Sequence, residues 1–100
     1  MEKRKIYRKI KRLPITFSDG QEEYAGISSD FSATGLFIRT RRPFSPGTSV
    51  KMVLETEKNQ KIVLTGVVVR AIKTGIMDFK NGMGIRLDSI PQVYKDFLGE

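Results

Sequence analysis

From Leu13 onward, apolar and polar residues alternate with the two-residue period of a half-buried β-strand. Turn residues separate the alternating stretches, and Asp19-Gly20 is a strong hairpin signal among them. Residues 41–47 contain two prolines and a glycine, so they are expected to break the sheet. The pattern predicts six strands, over residues 13–17, 23–29, 35–40, 49–57, 61–74 and 83–87.

Only the C-terminal tail has helical spacing. Ser89 is a candidate N-cap, and Pro91 suits the first turn of the helix. In the long fifth strand, Gly66 marks the point where we expect a bulge or bend. The fold class is therefore predicted to be mainly β, a small six-stranded antiparallel β-barrel with a short C-terminal helix. The apolar positions of that helix are Val93, Tyr94, Phe97 and Leu98.

Composition excludes several classes of activity. The 100 residues suffice for one small domain and include no histidine and no cysteine. Imidazole catalysis, thiol nucleophiles and zinc sites with these ligands are therefore ruled out. The close carboxylate pairs, Glu22-Glu23 and Glu55-x-Glu57, are interpreted as solvated strand ends. We expect no enzyme, no cofactor, no metal and no membrane insertion, and the cytoplasm as the setting.

Charge divides the chain into two parts. Residues 1–12 contain seven of the eighteen basic groups and one acid, which gives them a charge of +6. The other 88 residues contain eleven basic and ten acidic groups, a charge of +1. The first segment has too few apolar residues to bury itself, so we predict a flexible basic arm over 1–12 and a barrel domain over 13–100. Such an arm favours a polyanionic partner.

Two short motifs lie on either side of the first predicted hairpin. Arg8-x-x-x-Arg12 ends the arm, and Asp30-x-Ser32-x-x-Gly35 joins the second and third strands. From composition, the second spacing is expected by chance about 0.03 times per chain. Its purely structural interpretation is a tight hairpin in which Asp30 or Ser32 bonds its own backbone and Gly35 supplies a positive φ.

Together, the two motifs resemble those of PilZ domains, a family of bacterial receptors for cyclic di-GMP. The resemblance covers nearly the whole chain, because residues 82–87 are similar to the glycine-containing late strand of that family. It implies that Arg8 and Arg12 bind cyclic di-GMP from the arm. It also implies that ligand contacts come from the barrel at Asp30, Ser32 and Gly35.

The residue chemistry agrees with this ligand. An arginine bonds guanine O6 and N7 together, stacks on a purine or neutralises a phosphate. The Asp30 carboxylate is suited to accept from guanine N1–H and the exocyclic amine, and the Ser32 hydroxyl to donate. Gly35 allows ligand and backbone to approach closely. Arg4 forms a second R-x-x-x-R with Arg8 and is a possible additional contact.

The sequence thus favours a single-domain effector or adaptor in which cyclic di-GMP orders the arm against the barrel. The changed surface then engages an unidentified protein partner. The alternative is a small nucleic-acid-binding barrel whose basic arm follows phosphates. Asp30 discriminates between the two, since a carboxylate beside a polyanion weakens binding unless it bonds a base edge.

Overall fold

The computed structural model describes residues 11–74 and 81–99, together with the backbone of Arg8 and Lys9. Arg4 and the side chain of Arg8 lie outside the described residues, as does the first part of the turn predicted at 78–82. Whether the arm is flexible and where the domain begins therefore stay predictions.

Six strands form a closed antiparallel barrel, and one helix follows them, as the sequence predicted. In chain order the elements are β1 (Arg8–Lys9), β2 (Leu13–Ser18), β3 (Glu23–Ser29), β4 (Phe31–Ser32), β5 (Gly35–Arg39), β6 (Ser49–Glu55), β7 (Lys61–Ile72), β8 (Gly82–Leu87) and α1 (Gln92–Leu98). The sheet order of the barrel is β2-β3-β5-β8-β7-β6, and β6 returns to pair with β2. These six strands begin and end within two residues of the predicted bounds, and because the sheet is closed none of them is an edge strand.

The barrel interior contains the inward residues of the alternating strands. Along β6, for example, Val50, Met52 and Leu54 are buried and the residues between them face outward. The helix closes one part of the core, where Tyr94 and Phe97 are buried. No helix in the described part of the chain is long and apolar enough to span a bilayer.

One small ladder was not predicted. The backbone of β1 pairs antiparallel with β4, outside the main barrel. The sequence pattern of residues 30–35 predicts a turn, because a two-residue strand is too short to show an alternating period. The ladder is nevertheless central to the candidate site.

The predicted cap of α1 was wrong. Pro91, not Ser89, is the N-cap residue, with extended backbone angles (φ −63°, ψ 152°) and no side-chain capping hydrogen bond. The Pro91 carbonyl oxygen accepts from the backbone N–H of Tyr94 and of Lys95, at 3.0 and 3.1 Å. Proline suits this place because its fixed φ is compatible with the extended cap and its missing N–H is not needed there.

The irregularity predicted at Gly66 lies further along β7. Gly66 pairs in register with Val50 and with Leu87, whereas the register shifts between Val68 and Arg70. Glycine at position 66 instead allows β7 and β8 to lie close together, because a Cβ there would come within 2.5 Å of the Arg86 carbonyl oxygen.

Candidate ligand-binding site

Backbone pairing brings the two sequence motifs together. Arg8 lies opposite Ser32 in the ladder of β1 and β4, and Lys9 lies opposite Phe31. Leu13, directly after Arg12, lies opposite Ser28 at the start of the barrel. The backbone of Arg8 and Lys9 therefore lies beside the segment that follows Asp30 and contains Ser32.

A groove of about 440 Å³ lies on the outer face of β5, β8 and β7. Its lining brings together the three barrel-side residues predicted from sequence. Arg12 is exposed, and it is not among the described residues that line this groove. The lining residues are Asp30, Ser32, Gly35, Leu36, Phe37, Val69, Arg70, Gly84 and Ile85.

Asp30 has the positive φ that the structural interpretation had placed at Gly35. Its φ is +52°, in the left-handed region that aspartate tolerates better than most residues, and its side chain is half-buried. The Ser29 hydroxyl donates to its carboxylate at 3.5 Å. This kink ends β3 and directs the chain into β4, so Asp30 sets the loop geometry as well as lining the groove.

The Ser32 hydroxyl organises the loop that follows. Its oxygen accepts from the backbone N–H of Gly35 at 3.2 Å and of Thr34 at 3.4 Å. The hydroxyl also donates to the Gly35 carbonyl at 3.2 Å. The structural interpretation made from sequence therefore describes Ser32 correctly. A contact to ligand requires this hydroxyl to turn its proton away from Gly35.

Gly35 is required by the barrel itself. Its φ is not positive; the described glycines with positive φ are Gly20 and Gly47. A Cβ at Gly35 would instead overlap the carbonyl oxygen of Ile85 on the neighbouring strand β8. Glycine thus permits the close approach of β5 and β8 at the edge of the groove.

The C-terminal helix supports the same loop from inside. The Tyr94 hydroxyl, on a fully buried side chain, donates to the Ser32 carbonyl at 2.7 Å. Phe97 packs edge-on against Phe31, with ring centroids 5.1 Å apart. The sequence placed both aromatics on a helix but did not connect them with the motif, because that contact joins residues some sixty positions apart.

Replacing Tyr94 by phenylalanine is expected to lower the free energy of unfolding by about 1–3 kcal/mol, because the half-buried Ser32 carbonyl loses the hydrogen bond from the Tyr94 hydroxyl. Burial raises the pKa of Tyr94 above its usual value of about 10. The stabilisation is therefore complete below pH 10 and is lost as the pH rises above it. Urea unfolding should show that the free energy of unfolding falls more between pH 7 and pH 11 for the native protein than for Tyr94→Phe. Equal losses would contradict this role.

Six groove residues were not found from the sequence. They lie on three different strands, and no local motif connects them: Leu36, Phe37, Val69, Arg70, Gly84 and Ile85. They meet because Gly84 pairs with Phe37 on one side and with Arg70 on the other. Only the strand order of the closed barrel reveals this row.

The charges around the groove are mixed. Among its described lining residues, Asp30 and Arg70 are the charged ones. Asp30 directly follows β3 and Arg70 lies on β7, and β5 and β8 lie between those two strands in the sheet. Lys11, inside the arginine motif, forms an ion pair with Glu57 (Nζ to Oε1, 2.5 Å) and does not line the groove. Within the described ranges, no group of three or more carboxylate, histidine or cysteine side chains could hold a metal ion. The described lining thus offers one carboxylate acceptor and one guanidinium donor.

Comparison with known proteins identifies the type of domain. The profile of the PilZ domain family matches residues 2–100. The structure of the Bacillus subtilis inhibitor of motility (MotI/DgrA) superposes with a TM-score of 0.75 at 20% identity, covering 98% of this chain and 48% of that one. The PilZ domain of CeSA from a cellulose-synthesizing bacterium gives 0.67 at 16% identity, covering 91% and 89%. No curated protein sequence matches significantly. The chain thus spans about half the length of the motility inhibitor, and both structures share its fold.

Proposed function

The chain belongs to the PilZ domain family, and from that premise we propose that it binds cyclic di-GMP between its N-terminal arm and the outer face of its barrel. In this proposal the protein acts by binding and not by catalysis, as PilZ domains generally do. It works in the cytoplasm, as an effector. Its direct ligand residues are Arg8 and Arg12 from the arm and Asp30, Ser32 and Gly35 from the barrel.

The observation that carries the proposal is the pairing of Arg8 with Ser32. Residues 24 positions apart in sequence are joined across one two-residue ladder, at the edge of a groove that Asp30, Ser32 and Gly35 line. The backbone of the arginine motif at Arg8 therefore lies beside a residue that lines the groove.

The chemistry of each group fits one part of the ligand. Cyclic di-GMP presents two phosphates and two guanines. The arm arginines supply planar, bidentate donors for phosphate oxygens or for guanine O6 and N7. The Asp30 carboxylate supplies the acceptor for the guanine N1–H and exocyclic amine, which gives selectivity for guanine over adenine.

The proposed mechanism is ordering of the arm. The ladder that fixes Arg8 and Lys9 contains two residue pairs, which is too little to hold a segment of charge +6 firmly by itself. Ligand phosphates and guanines add counter-charge and stacking surface on the same side. Binding then stabilises one arm position, and the surface made by arm and ligand together engages a protein partner. The motility inhibitor of the same fold is about twice as long, so the partner proposed here is not inferred from that protein.

The basic arm also favours a second candidate function, binding of single-stranded nucleic acid. In that case affinity comes from phosphates along the arm, and the Asp30 carboxylate in the groove opposes it. Salt then weakens all binding, without preference for a particular base.

Calorimetric titration at matched salt separates these functions. The protein should bind cyclic di-GMP saturably at micromolar concentrations, and GTP, cyclic GMP and single-stranded RNA much more weakly. Raising the salt should lower the affinity for cyclic di-GMP without removing its selectivity for guanine. Absence of saturable cyclic di-GMP binding would overturn the proposed function. Stronger binding of RNA would establish the second candidate.

A further inference from the structure

A β-bulge redirects strand β7 beside the groove. Inward residues alternate regularly along this strand up to Val68, which pairs with Ile85. The next pair in the ladder is Arg70 with Gly84, so Val69 is an extra residue. As a result Val69 and Arg70, although consecutive, are both exposed and both line the groove. Bulges are common beside binding sites because they re-aim side chains in this way.

Gly84 leaves an open backbone surface, without a side chain, beside Val69 and Arg70. A Cβ added there would meet only Arg70 Cβ and Val69 Cγ2, both at an ordinary 3.9 Å. Glycines at 35, 66 and 82 are different, because a Cβ at any of them would overlap neighbouring atoms. Barrel packing therefore does not require glycine at position 84. A glycine within a strand that packing does not demand often marks a place where a ligand lies close to the backbone.

Val69 shows that this part of the groove has an apolar wall. Half of its surface is exposed, one of three large apolar side chains in the described chain with such exposure. Phe37 borders the opposite side of Gly84, one strand away. The apolar side chain of Val69 and the open backbone at Gly84 suit the flat face of a guanine base. The Arg70 guanidinium at one edge suits the O6 and N7 atoms of that base.

We propose that Val69, Arg70 and Gly84 form a third ligand-binding element, which holds a guanine of cyclic di-GMP. The base lies over Gly84 against the Val69 side chain, and the Arg70 guanidinium bonds O6 and N7. This inference rests on the proposed function and adds a base-binding wall that neither sequence motif contains. Arg70 on β7 and Asp30 at the end of β3 then hold the ligand from opposite sides of the groove.

The test compares Arg70→Ala with Lys61→Ala by calorimetric titration with cyclic di-GMP. Both replacements remove one positive charge from an exposed position of β7, but Lys61 does not line the groove. Arg70→Ala should weaken binding at least about tenfold, the loss expected for one charge-assisted bidentate contact. Lys61→Ala should change it less than about twofold, since exposed distant charges are screened. Thermal unfolding should confirm that both variants fold.

Two further variants specify the contact. Arg70→Lys should recover only part of the affinity lost in Arg70→Ala, because lysine can donate to O6 and N7 but lacks the planar fork of arginine. Gly84→Ala should leave the thermal midpoint of the free protein unchanged or slightly raised, while lowering the affinity for cyclic di-GMP. Gly84→Ala that binds cyclic di-GMP as tightly as the native protein would overturn the base-binding wall.

The outcomes also separate this inference from the proposed function. If the native protein binds cyclic di-GMP and Arg70→Ala binds equally well, the third element is wrong and the receptor function stands. If the native protein does not bind cyclic di-GMP, both are overturned.

Discussion

Replacing Arg12 by alanine is expected to weaken cyclic di-GMP binding by about 10- to 100-fold. The proposed contact is a charge-assisted, bidentate hydrogen bond, and such a bond contributes about 1.5–3 kcal/mol. Arg12 is exposed, directly before the strand that anchors the arm to the barrel, so the variant should fold normally. Calorimetric titration measures the loss, with thermal unfolding to confirm the fold.

The matched control is Lys11→Ala. It removes the same charge one residue away, but the Lys11 ammonium is already paired with the Glu57 carboxylate. An exposed pair of this kind contributes little to stability, so the variant should fold and should retain most of the affinity. Equal losses at Lys11 and Arg12 would indicate simple charge attraction and would favour the nucleic-acid alternative.

Replacing Gly35 by alanine is expected to destabilise the fold by about 2–3 kcal/mol, the range for overpacking a site that cannot expand freely. The new methyl group would overlap the Ile85 carbonyl oxygen, which is backbone and cannot rotate away. Strands β5 and β8 must separate, and for a domain of this size the thermal midpoint should fall by about 10–20 °C. Differential scanning calorimetry without ligand measures the effect.

Gly84→Ala is the control for this prediction as well. It places the same methyl group on β8, the strand that Gly35 packs against, but its nearest neighbours are 3.9 Å away. Its midpoint should stay near that of the native protein. If Gly35→Ala melted at the native temperature and lost only ligand affinity, Gly35 would be a ligand contact without a structural role.

Much of the barrel was predictable because the buried face of each strand can be recognised from the sequence of that strand alone. In a closed sheet every strand has one buried face, so alternation such as that of Val50, Met52 and Leu54 is visible locally. Turn residues such as Asp19-Gly20 then mark the strand ends. The small ladder of β1 and β4 has no such period, and it was missed.

The candidate site was predictable only where its residues are close in sequence. Asp30, Ser32 and Gly35 form one motif, and they do line one groove. Arg70 and Gly84 pair across β7 and β8. The register shift that exposes both Val69 and Arg70 depends on how β7 pairs with its partner strand. Tyr94 supports Ser32 from a helix 62 positions further along the chain. Such contacts follow from strand order and register, which alternation alone does not specify.

Ligand-dependent hydrogen exchange tests the central claim, that cyclic di-GMP joins the arm to the barrel. Amide exchange would be measured with and without saturating cyclic di-GMP, with Arg12→Ala at the same ligand concentration as the control. Residues 8–12 should exchange more slowly with ligand in the native protein but not in the variant. Residues 30–35 should change less, because flanking strands and the Tyr94 hydroxyl already hold them. Exchange in residues 8–12 that is the same with and without bound ligand would contradict the account.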